Sequence, residues 1–421
     1  MILPKKQLQM HLKFSNLKNK ICFLLISFCL QSFAMNNQLP EKLSVNAKIS
    51  LLTCDEGDEI YSLFGHSALR ILDVENQLDI VFNWGMFEWP EDQFDFGYQF
   101  AKGKLKYYMA IQPFNGFVSQ YKEFKRGVSE QVLDLNVEEK MLLYDKLLIN
   151  YLPENRVYKY DFFYDNCSSR IRDILQAVLG NKLALYEHKD ANKLSFREII
   201  DVNLLPQPWL DLGIDLVLGS RIDVMANNHH LMFLPKYMEQ IFDSSEIIDD
   251  HGNKEPFVIK KIQIVKPNKN SESDSTGNGV YFWTLLFITL GLIIFRINYL
   301  TMTWVGLLLF IVGVLGILLI FMWVGTDHQA TKSNFNLIWS NPLHLFTLIS
   351  LFSAKMIQKL KNYYLGMSIT LFSLVLFWII IPQEIHPSVS PIILSLTLIY
   401  FFLYAKSKKP INTIEQGNPS S

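Results

Sequence analysis

The stretch Asp165-Asn166-Cys167-Ser168-Ser169-Arg170 decides how the first half of the chain is interpreted. It opens an apolar-periodic segment that stops at Gly180. Asp165 or Asn166 can cap the free N–H groups of a first helical turn, and Gly180 suits the position just past a helix end. Cys167 is therefore predicted in the first turn of a helix. The helix dipole and the unpaired amides there favour a thiolate and can hold an oxyanion, so Cys167 is a candidate nucleophile.

The composition divides the chain into two parts. The 421 residues are many for one domain, and 50% of them are hydrophobic. Up to about Lys269 the pattern indicates a globular α+β domain, and from Val280 on the chain is mostly apolar. A formal net charge of -1 gives no support for nucleic-acid binding. The predicted divisions are a signal peptide (1–34), a soluble thiol domain (35–265), a linker (266–279), a transmembrane domain (280–405) and a cytoplasmic tail (406–421).

Residues 1–34 have the features of a cleavable secretory signal. Lysines precede the short apolar run Ile21–Leu30, and small residues occupy the positions before a cleavage point after Ala34. The run is too short to span a membrane comfortably. Cleavage leaves Cys54 and Cys167 as the cysteines of an exported domain, which is too few for a disulfide scaffold.

A second informative stretch runs from Leu63 to Leu72 and contains His66. Its alternation and the turn-like Glu75-Asn76 predict a β-hairpin with residues 78–85. In that hairpin position 68 faces position 83, which puts Asn83 diagonal to His66 on the same face. A one-residue slip would move Asn83 to the other face. His66 is the candidate general base, because a neutral imidazole can take the thiol proton, and Asn83 is the candidate residue that orients it.

The rest of the soluble domain shows alternating short strands and helices. The predicted strands are 48–53 and 128–135. The predicted helices are 91–102, 115–125 and 138–151, and after the Cys167 helix the chain continues through 194–202 to a Pro-rich turn at 206–209.

The apolar half predicts an all-α membrane domain of about five transmembrane helices. The five apolar segments are 280–295, 299–324, 343–354, 363–381 and 388–404. The first and third are short, so a kinked or partly buried span is possible. If the soluble domain is outside the cytoplasm, successive spans that cross the membrane in alternating directions place three basic segments inside, as the positive-inside rule requires. These are Arg296, the lysines of 355–361 and those of 406–409. The four lysines between positions 260 and 269 count against this orientation, although a signal peptide already directs export.

The outer loops then face the same compartment as Cys167. They carry Asp327, His328 and Asn341, which are candidate substrate-binding residues because polar residues gathered at a membrane interface often serve a site. A merely solvated loop is the alternative. No cofactor is expected, and no metal site either, because His229-His230 lacks a spaced third ligand for zinc.

Cys167 has two other interpretations. It could be a buried structural thiol, or it could form a disulfide with Cys54 in an oxidising compartment. Its position at a helix start and its polar neighbours favour the nucleophile. That His66 precedes Cys167 in the chain is no objection, because such triads are recognised by geometry rather than by order.

These residues also carry a resemblance. Gly65-His66-Ser67-Ala68 followed by Asn166-Cys167-Ser168-Ser169 resembles the circularly permuted branch of the NlpC-type papain fold, to which lecithin retinol acyltransferase belongs. Further features extend the resemblance, over most of the mature chain, to the Lnb family of lipoprotein N-acyltransferases of Gram-negative bacteria. These features are Phe100–Leu105, Phe163–Arg170, Thr326-Asp327-His328 and Asn341-Pro342-Leu343.

The resemblance implies a periplasmic, circularly permuted papain-like domain followed by a multi-pass domain in the bacterial inner membrane. It implies that Cys167 is the nucleophile and His66 the base. Lecithin retinol acyltransferase uses a second histidine as the third member, where this sequence offers Asn83. The implied partners are membrane lipids, a phospholipid acyl donor and a diacylated lipoprotein, whose N-terminal amine accepts the acyl chain.

Two other functions remain open. A membrane-anchored cysteine peptidase or amidase acting on cell-wall peptides would use the same thiol, but several spans with polar outer loops exceed what an anchor needs. A non-enzymatic envelope assembly protein would use Cys167 only structurally. Lipid substrates would explain the membrane domain directly, because both donor and acceptor reside in the bilayer.

Overall fold

The computed structural model describes residues 39–410 except 58, 60–61, 89–91, 250, 268–277 and 296–297. The predicted signal peptide 1–34, Arg296, most of the predicted linker and most of the predicted tail lie outside the described residues. The chain forms two compact units. The first takes its described residues from 1–91, 105–189 and 228–270, and the second from 92–104, 190–227 and 271–421. The predicted domain limits stay predictions.

Among the described residues, ten strands belong to the first unit. They are β1 (Lys48–Cys54), β2 (His66–Asp73), β3 (Leu78–Phe87), β4 (Lys106–Pro113), β5 (Val128–Leu133), β6 (Val157–Lys159), β7 (Leu183–Ala184), β8 (Glu246–Ile248), β9 (Lys254–Pro256) and β10 (Val258–Val265).

The described part of the chain has fourteen α-helices, distributed over both units. They are α1 (Gln93–Ala101), α2 (Phe114–Glu123), α3 (Val137–Tyr151), α4 (Cys167–Leu179), α5 (Phe196–Leu204), α6 (Pro208–Val217), α7 (Asn228–Leu231), α8 (Pro235–Asp243), α9 (Gly279–Ile294), α10 (Asn298–Val324), α11 (Leu343–Ser350), α12 (Ala354–Lys359), α13 (Lys361–Phe377) and α14 (Ser390–Ser407).

A seven-stranded antiparallel sheet with the order β10-β5-β1-β2-β3-β4-β6 forms the centre of the first unit. The central strands are apolar on both faces: Leu51, Leu69 and Phe82 are fully buried, and so are Leu52 and Val81 on the opposite face. Both faces are covered because α2 packs on β3 and β4, whereas α4 packs on β2 and β3. A smaller sheet has the order β7-β8-β9. The predicted α+β class is confirmed; its circular permutation stays a prediction.

The β2–β3 hairpin has the predicted register. Ala68 pairs with Asn83, and the turn closes with the Gln77 N–H donating to the Val74 carbonyl at 3.2 Å. Gln77 adopts a φ of 53°, a left-handed conformation that completes the tight turn. Asn83 therefore lies on the face of the sheet that carries His66.

The second unit is helical, and its long helices are strongly apolar. Among the described residues, three helices are long and apolar enough to cross a membrane: Tyr299–Val324, Lys361–Ile380 and Pro387–Ser407. The buried core of this unit includes polar side chains, since His344 Nδ1 hydrogen-bonds the Tyr400 hydroxyl at 2.7 Å. A polar group buried in apolar surroundings needs such a partner.

The predicted count of five spanning helices is not confirmed. α9 is apolar but has only 16 residues, and about 20 are needed to cross the hydrocarbon core. The predicted segment 343–354 forms α11, followed by a break and then α12. The break has a physical cause: the Ser353 hydroxyl accepts the Met356 N–H at 3.4 Å and starts a new helix.

A buried ion network stabilises the non-membrane part of the second unit. The Arg197 side chain is 0% exposed and lies 2.7 Å from Asp215 and 2.8 Å from Asp223. Its guanidinium also donates to the carbonyls of Leu218 and Gly219. Arg197 in α5 thereby holds the segment that follows α6.

We expect Arg197→Met to lower the free energy of unfolding by about 3–5 kcal/mol, because two buried carboxylates lose their counter-charge. Urea unfolding of the full-length protein in detergent measures the change. The matched control is Arg221→Met, since Arg221 is exposed and bonds only the Gln329 amide oxygen among the described contacts; its effect should stay within about 0.5 kcal/mol. Equal effects of the two variants would contradict this assignment.

Candidate active site

Asn166 fixes the position of Cys167 at the start of α4. Its Oδ1 accepts the Ser169 N–H at 2.9 Å, while its own N–H donates to the Ser169 hydroxyl at 2.8 Å, a reciprocal capping box. Its Nδ2 also donates to the carbonyls of Phe162 and Phe233, each at 2.8 Å. Of the two predicted caps, Asn166 is the one used. The backbone N–H and both side-chain amide atoms of Asn166 are therefore hydrogen-bonded, which fixes the first turn of α4.

His66 opens β2 and contacts Asn83 of the neighbouring strand. Its Nε2 lies 2.5 Å from Asn83 Oδ1. Because an amide oxygen only accepts hydrogen bonds, Nε2 carries the proton and the other ring nitrogen, Nδ1, is left to receive a proton from a thiol. Asn83 is 4% exposed and His66 is half-buried. The pair orients an imidazole that stays partly accessible.

His66 and Cys167 shift each other's pKa towards the charged forms. Burial alone would raise the pKa of Cys167, but the charge and hydrogen bond of His66, the Ser67 backbone N–H and the Ser168 hydroxyl together lower this pKa. Burial would likewise lower the pKa of His66, and the Cys167 sulfur and Asn83 together raise it. Each partner thus stabilises the charged form of the other.

A buried pair of hydroxyl groups ties the two elements together. Ser67 follows His66, Ser168 follows Cys167, and their Oγ atoms lie 3.0 Å apart although the residues are 101 positions apart in the chain. Both residues are 0% exposed. Both serines belong to the sequence motifs around His66 and Cys167, but those motifs do not predict this contact. Their hydrogen bond holds the start of β2 against the start of α4.

The second cysteine has the opposite environment. Cys54 pairs with His66 in the β1–β2 register but is 1% exposed. Burial raises the pKa of its thiol to about 12, so it stays protonated. Cys54 and Cys167 are both free in the structure. The structure therefore contains no disulfide between Cys54 and Cys167. Of the two thiols, only Cys167 has a lowered pKa.

Aromatic side chains lie on the chain segments next to His66 and Cys167. Phe162 packs on Phe64 with ring centroids 4.7 Å apart. Tyr160 stacks on Tyr107 at 4.5 Å, and the negative charge of Cys167 helps burial to raise the pKa of Tyr160. Gly85, with a φ of 83°, lies in the irregular part of β3 after Asn83 and has Tyr160 as its neighbour. The segments next to the thiol thus carry both phenylalanine rings and tyrosine phenols.

The other three predicted site residues belong to the second unit. His328 Nε2 lies 3.0 Å from the Phe100 carbonyl, and the Asp327 N–H donates to the Lys102 carbonyl at 2.9 Å. Asn341 donates to the Ile338 carbonyl and accepts the Leu343 N–H, both at 3.1 Å. Asn341 thus bonds its local backbone, whereas Asp327 and His328 bond the backbone of residues 100–102. Binding of substrate by Asp327, His328 and Asn341 stays a prediction.

We expect Asn83→Ala to reduce turnover by up to about 10²-fold, because the imidazole loses the contact that fixes its orientation and tautomer. Asn83→Asp restores an acceptor for Nε2 and should recover part of the rate. The pH profile of the remaining activity separates this role from a structural one. An unchanged profile in Asn83→Ala would exclude Asn83 as the residue that orients His66.

The fold and this site define a class of protein: an α+β domain with a paired cysteine and histidine, on a chain with apolar helices long enough to cross a membrane. Two known protein-family models that match the chain agree with that class. The family model for the Lnb N-terminal periplasmic domain matches residues 41–201, and the family model for the Lnb transmembrane domain matches residues 272–410. No curated protein and no solved structure matches the chain.

The chain belongs to the Lnb family, because the two matches together account for most of its length in the expected order. It is a membrane protein with a periplasmic N-terminal domain and a transmembrane C-terminal domain. The resemblance found in the sequence is thereby confirmed at the level of the family.

Proposed function

We propose that this protein is an N-acyltransferase that moves an acyl chain from a phospholipid, through a thioester on Cys167, to the N-terminal amine of a diacylated lipoprotein. The observation that carries the proposal is the contact of His66 with Asn83 and Cys167, which lowers the pKa of the thiol. The Lnb domains support a membrane-bound, lipoprotein-processing role for the chain.

The first half-reaction forms the thioester. The Cys167 thiolate attacks the ester carbonyl of the phospholipid, and the bond between that carbon and the glycerol oxygen breaks. The departing oxygen takes the proton from His66, so the products are a neutral lysophospholipid hydroxyl, a neutral imidazole and an acyl-enzyme. The N–H groups at the start of α4 stabilise the negative charge that develops on the carbonyl oxygen.

The second half-reaction forms the amide. The lipoprotein's N-terminal amine attacks the thioester carbonyl and gives a proton to His66 Nδ1. The carbon–sulfur bond then breaks and the thiolate returns, so the enzyme leaves the cycle as it entered. A thioester suits this step because it is reactive enough to acylate an amine, whereas the original ester is not.

Competing hydrolysis is the main hazard for such an intermediate. The aromatic side chains beside Cys167, including Phe64, Phe162 and Tyr160, would limit the approach of water to the thioester. We further propose that the apolar helices cross the inner membrane several times and leave the C-terminus in the cytoplasm. Both substrates then reach the thiol from the leaflet that faces the periplasm.

Mass spectrometry of a lipoprotein's N-terminal peptide tests this proposal. The peptide is taken from cells that carry the intact gene, no gene, or the Cys167→Ala variant. The proposal predicts an amide-linked acyl chain only with the intact gene. Identical lipoproteins in all three strains would overturn it, and a simultaneous change in cell-wall peptides would point to the peptidase instead.

A further inference from the structure

α1 is a short helix with an exposed aromatic face. It lies in the chain between β3 and β4, yet it belongs to the second unit. Phe94 is 81% exposed and Tyr98 is 50% exposed. These two residues are four positions apart, so they lie on the same side of the helix. Large aromatic side chains that are exposed in this way are unusual on a surface in water and indicate a contact surface.

A neighbouring stripe of α1 is polar. Asp92 caps the helix by accepting the Phe94 N–H at 2.8 Å, and Gln99 donates to Asp95 at 3.3 Å. Asp95 and Gln99 are one turn apart and each directly follows an aromatic residue, so they lie about 100° around the helix from Phe94 and Tyr98. α1 therefore has an exposed aromatic stripe next to a hydrogen-bonded polar stripe.

Several contacts hold the end of α1 at the last turn of α10. Lys102 Nζ donates to the Gly325 carbonyl at 2.8 Å, and the Lys102 carbonyl accepts the Asp327 N–H at 2.9 Å. The same Nζ lies 5.8 Å from the Tyr98 ring and 5.4 Å from the Phe321 ring. Tyr98 thus lies beside the final turn of the long apolar helix.

The length of α10 indicates where this contact lies relative to a lipid bilayer. Its apolar span, Tyr299–Val324, has 26 residues and is about 39 Å long at the standard helical rise. The hydrocarbon core of a bilayer is about 30 Å thick. The ends of α10 therefore reach the headgroup region, where amphipathic aromatic residues and lysines are favoured.

The same unit has a second aromatic contact at the start of another apolar helix. Trp209 of α6 is 55% exposed and packs on Tyr281 of α9 with ring centroids 5.5 Å apart. Asn278, directly before α9, donates to the Pro208 carbonyl at 2.6 Å and so fixes α6 there. Exposed aromatic residues thus occur independently at the ends of two apolar helices.

We propose that α1 is an interfacial helix that binds the phospholipid surface of the periplasmic leaflet through Phe94 and Tyr98. The helix lies in the chain between two strands of the periplasmic domain. Its contact with the end of α10 places it at the level of the lipid headgroups. The polar stripe with Asp95 and Gln99 stays in water. This binding surface is independent of acyl transfer, because it requires only that α10 spans the membrane.

Photo-crosslinking in vesicles tests the proposal. The photoreactive residue p-benzoylphenylalanine replaces Phe94, Tyr98, Asp95 or Gln99 in turn, and the full-length protein is reconstituted in vesicles of phosphatidylethanolamine and phosphatidylglycerol. After irradiation, mass spectrometry quantifies phospholipid adducts on α1. We expect several-fold more adduct at positions 94 and 98 than at positions 95 and 99. The probe at position 310, exposed in the middle of α10, is the positive control.

Two outcomes would overturn the proposal. Equal, low adduct at all four positions, with a strong signal at position 310, would mean that α1 lies in water. Protein–protein adducts at positions 94 and 98 would mean that a second copy or another protein covers the aromatic face. Neither outcome bears on the role of Cys167, which the lipoprotein peptides test separately.

Discussion

The Cys167→Ser variant should lose more than about 10³-fold of the acyl-transfer rate, which is the effect of removing a nucleophile. His66 lowers the pKa of the Cys167 thiol, whereas a serine hydroxyl in the same place stays un-ionised. Sulfur and oxygen differ little in size, so the variant should fold. Transfer of a labelled acyl chain to a lipopeptide, together with the thermal midpoint of the purified protein, measures both effects.

Cys54→Ser provides the matched control. Cys54 is buried, as Cys167 is, but burial raises its thiol pKa to about 12 and no reaction step uses it. This variant should retain transfer while losing some stability. A Cys167→Ser protein that unfolds, or that folds and still transfers acyl chains, would support the structural interpretation of Cys167 instead.

The His66→Ala variant should lose about 10²- to 10⁴-fold of the rate, the usual contribution of a general acid–base group. It should also change the reactivity of Cys167. In the intact protein the charge of His66 lowers the thiol pKa, so alkylation stays fast until the pH falls through that lowered value. Without His66, burial dominates and raises the pKa, so alkylation should already slow as the pH falls through the alkaline range.

The rate of iodoacetamide alkylation of Cys167 as a function of pH measures this shift. His229→Ala is the control, because His229 belongs to the same unit, is 43% exposed and contacts Asp173 instead. That variant should leave the profile unchanged. If His66→Ala and the intact protein gave the same profile, His66 would not be the partner of the thiol.

The local features of the site could be predicted from the sequence because they are encoded within a few neighbouring residues. The capping residue before Cys167 and Gly180 after the helix define α4. The short turn between β2 and β3 sets the pairing of Ala68 with Asn83. A cap and a turn are each determined by about four residues, so they need no knowledge of the rest of the chain.

Other features depend on distant residues and could not be predicted. The Ser67–Ser168 hydrogen bond joins residues 101 positions apart. The inclusion of α1 and α5 in the second unit follows from packing that hydrophobic periodicity does not encode. The predicted segment 343–354 is longer than α11, because the apolar run in the sequence continues past the end of that helix to Ser353, which caps the next one.

The thioester on Cys167 can be detected in the mass of the intact protein after incubation with a phospholipid of known acyl composition and no amine acceptor. The proposed mechanism predicts a mass increase of one acyl chain. This adduct should be located on Cys167, removed by hydroxylamine and by a lipopeptide amine, and absent in Cys167→Ala. A protein that transfers acyl chains without this adduct, or that carries it on another residue, would contradict the thioester mechanism.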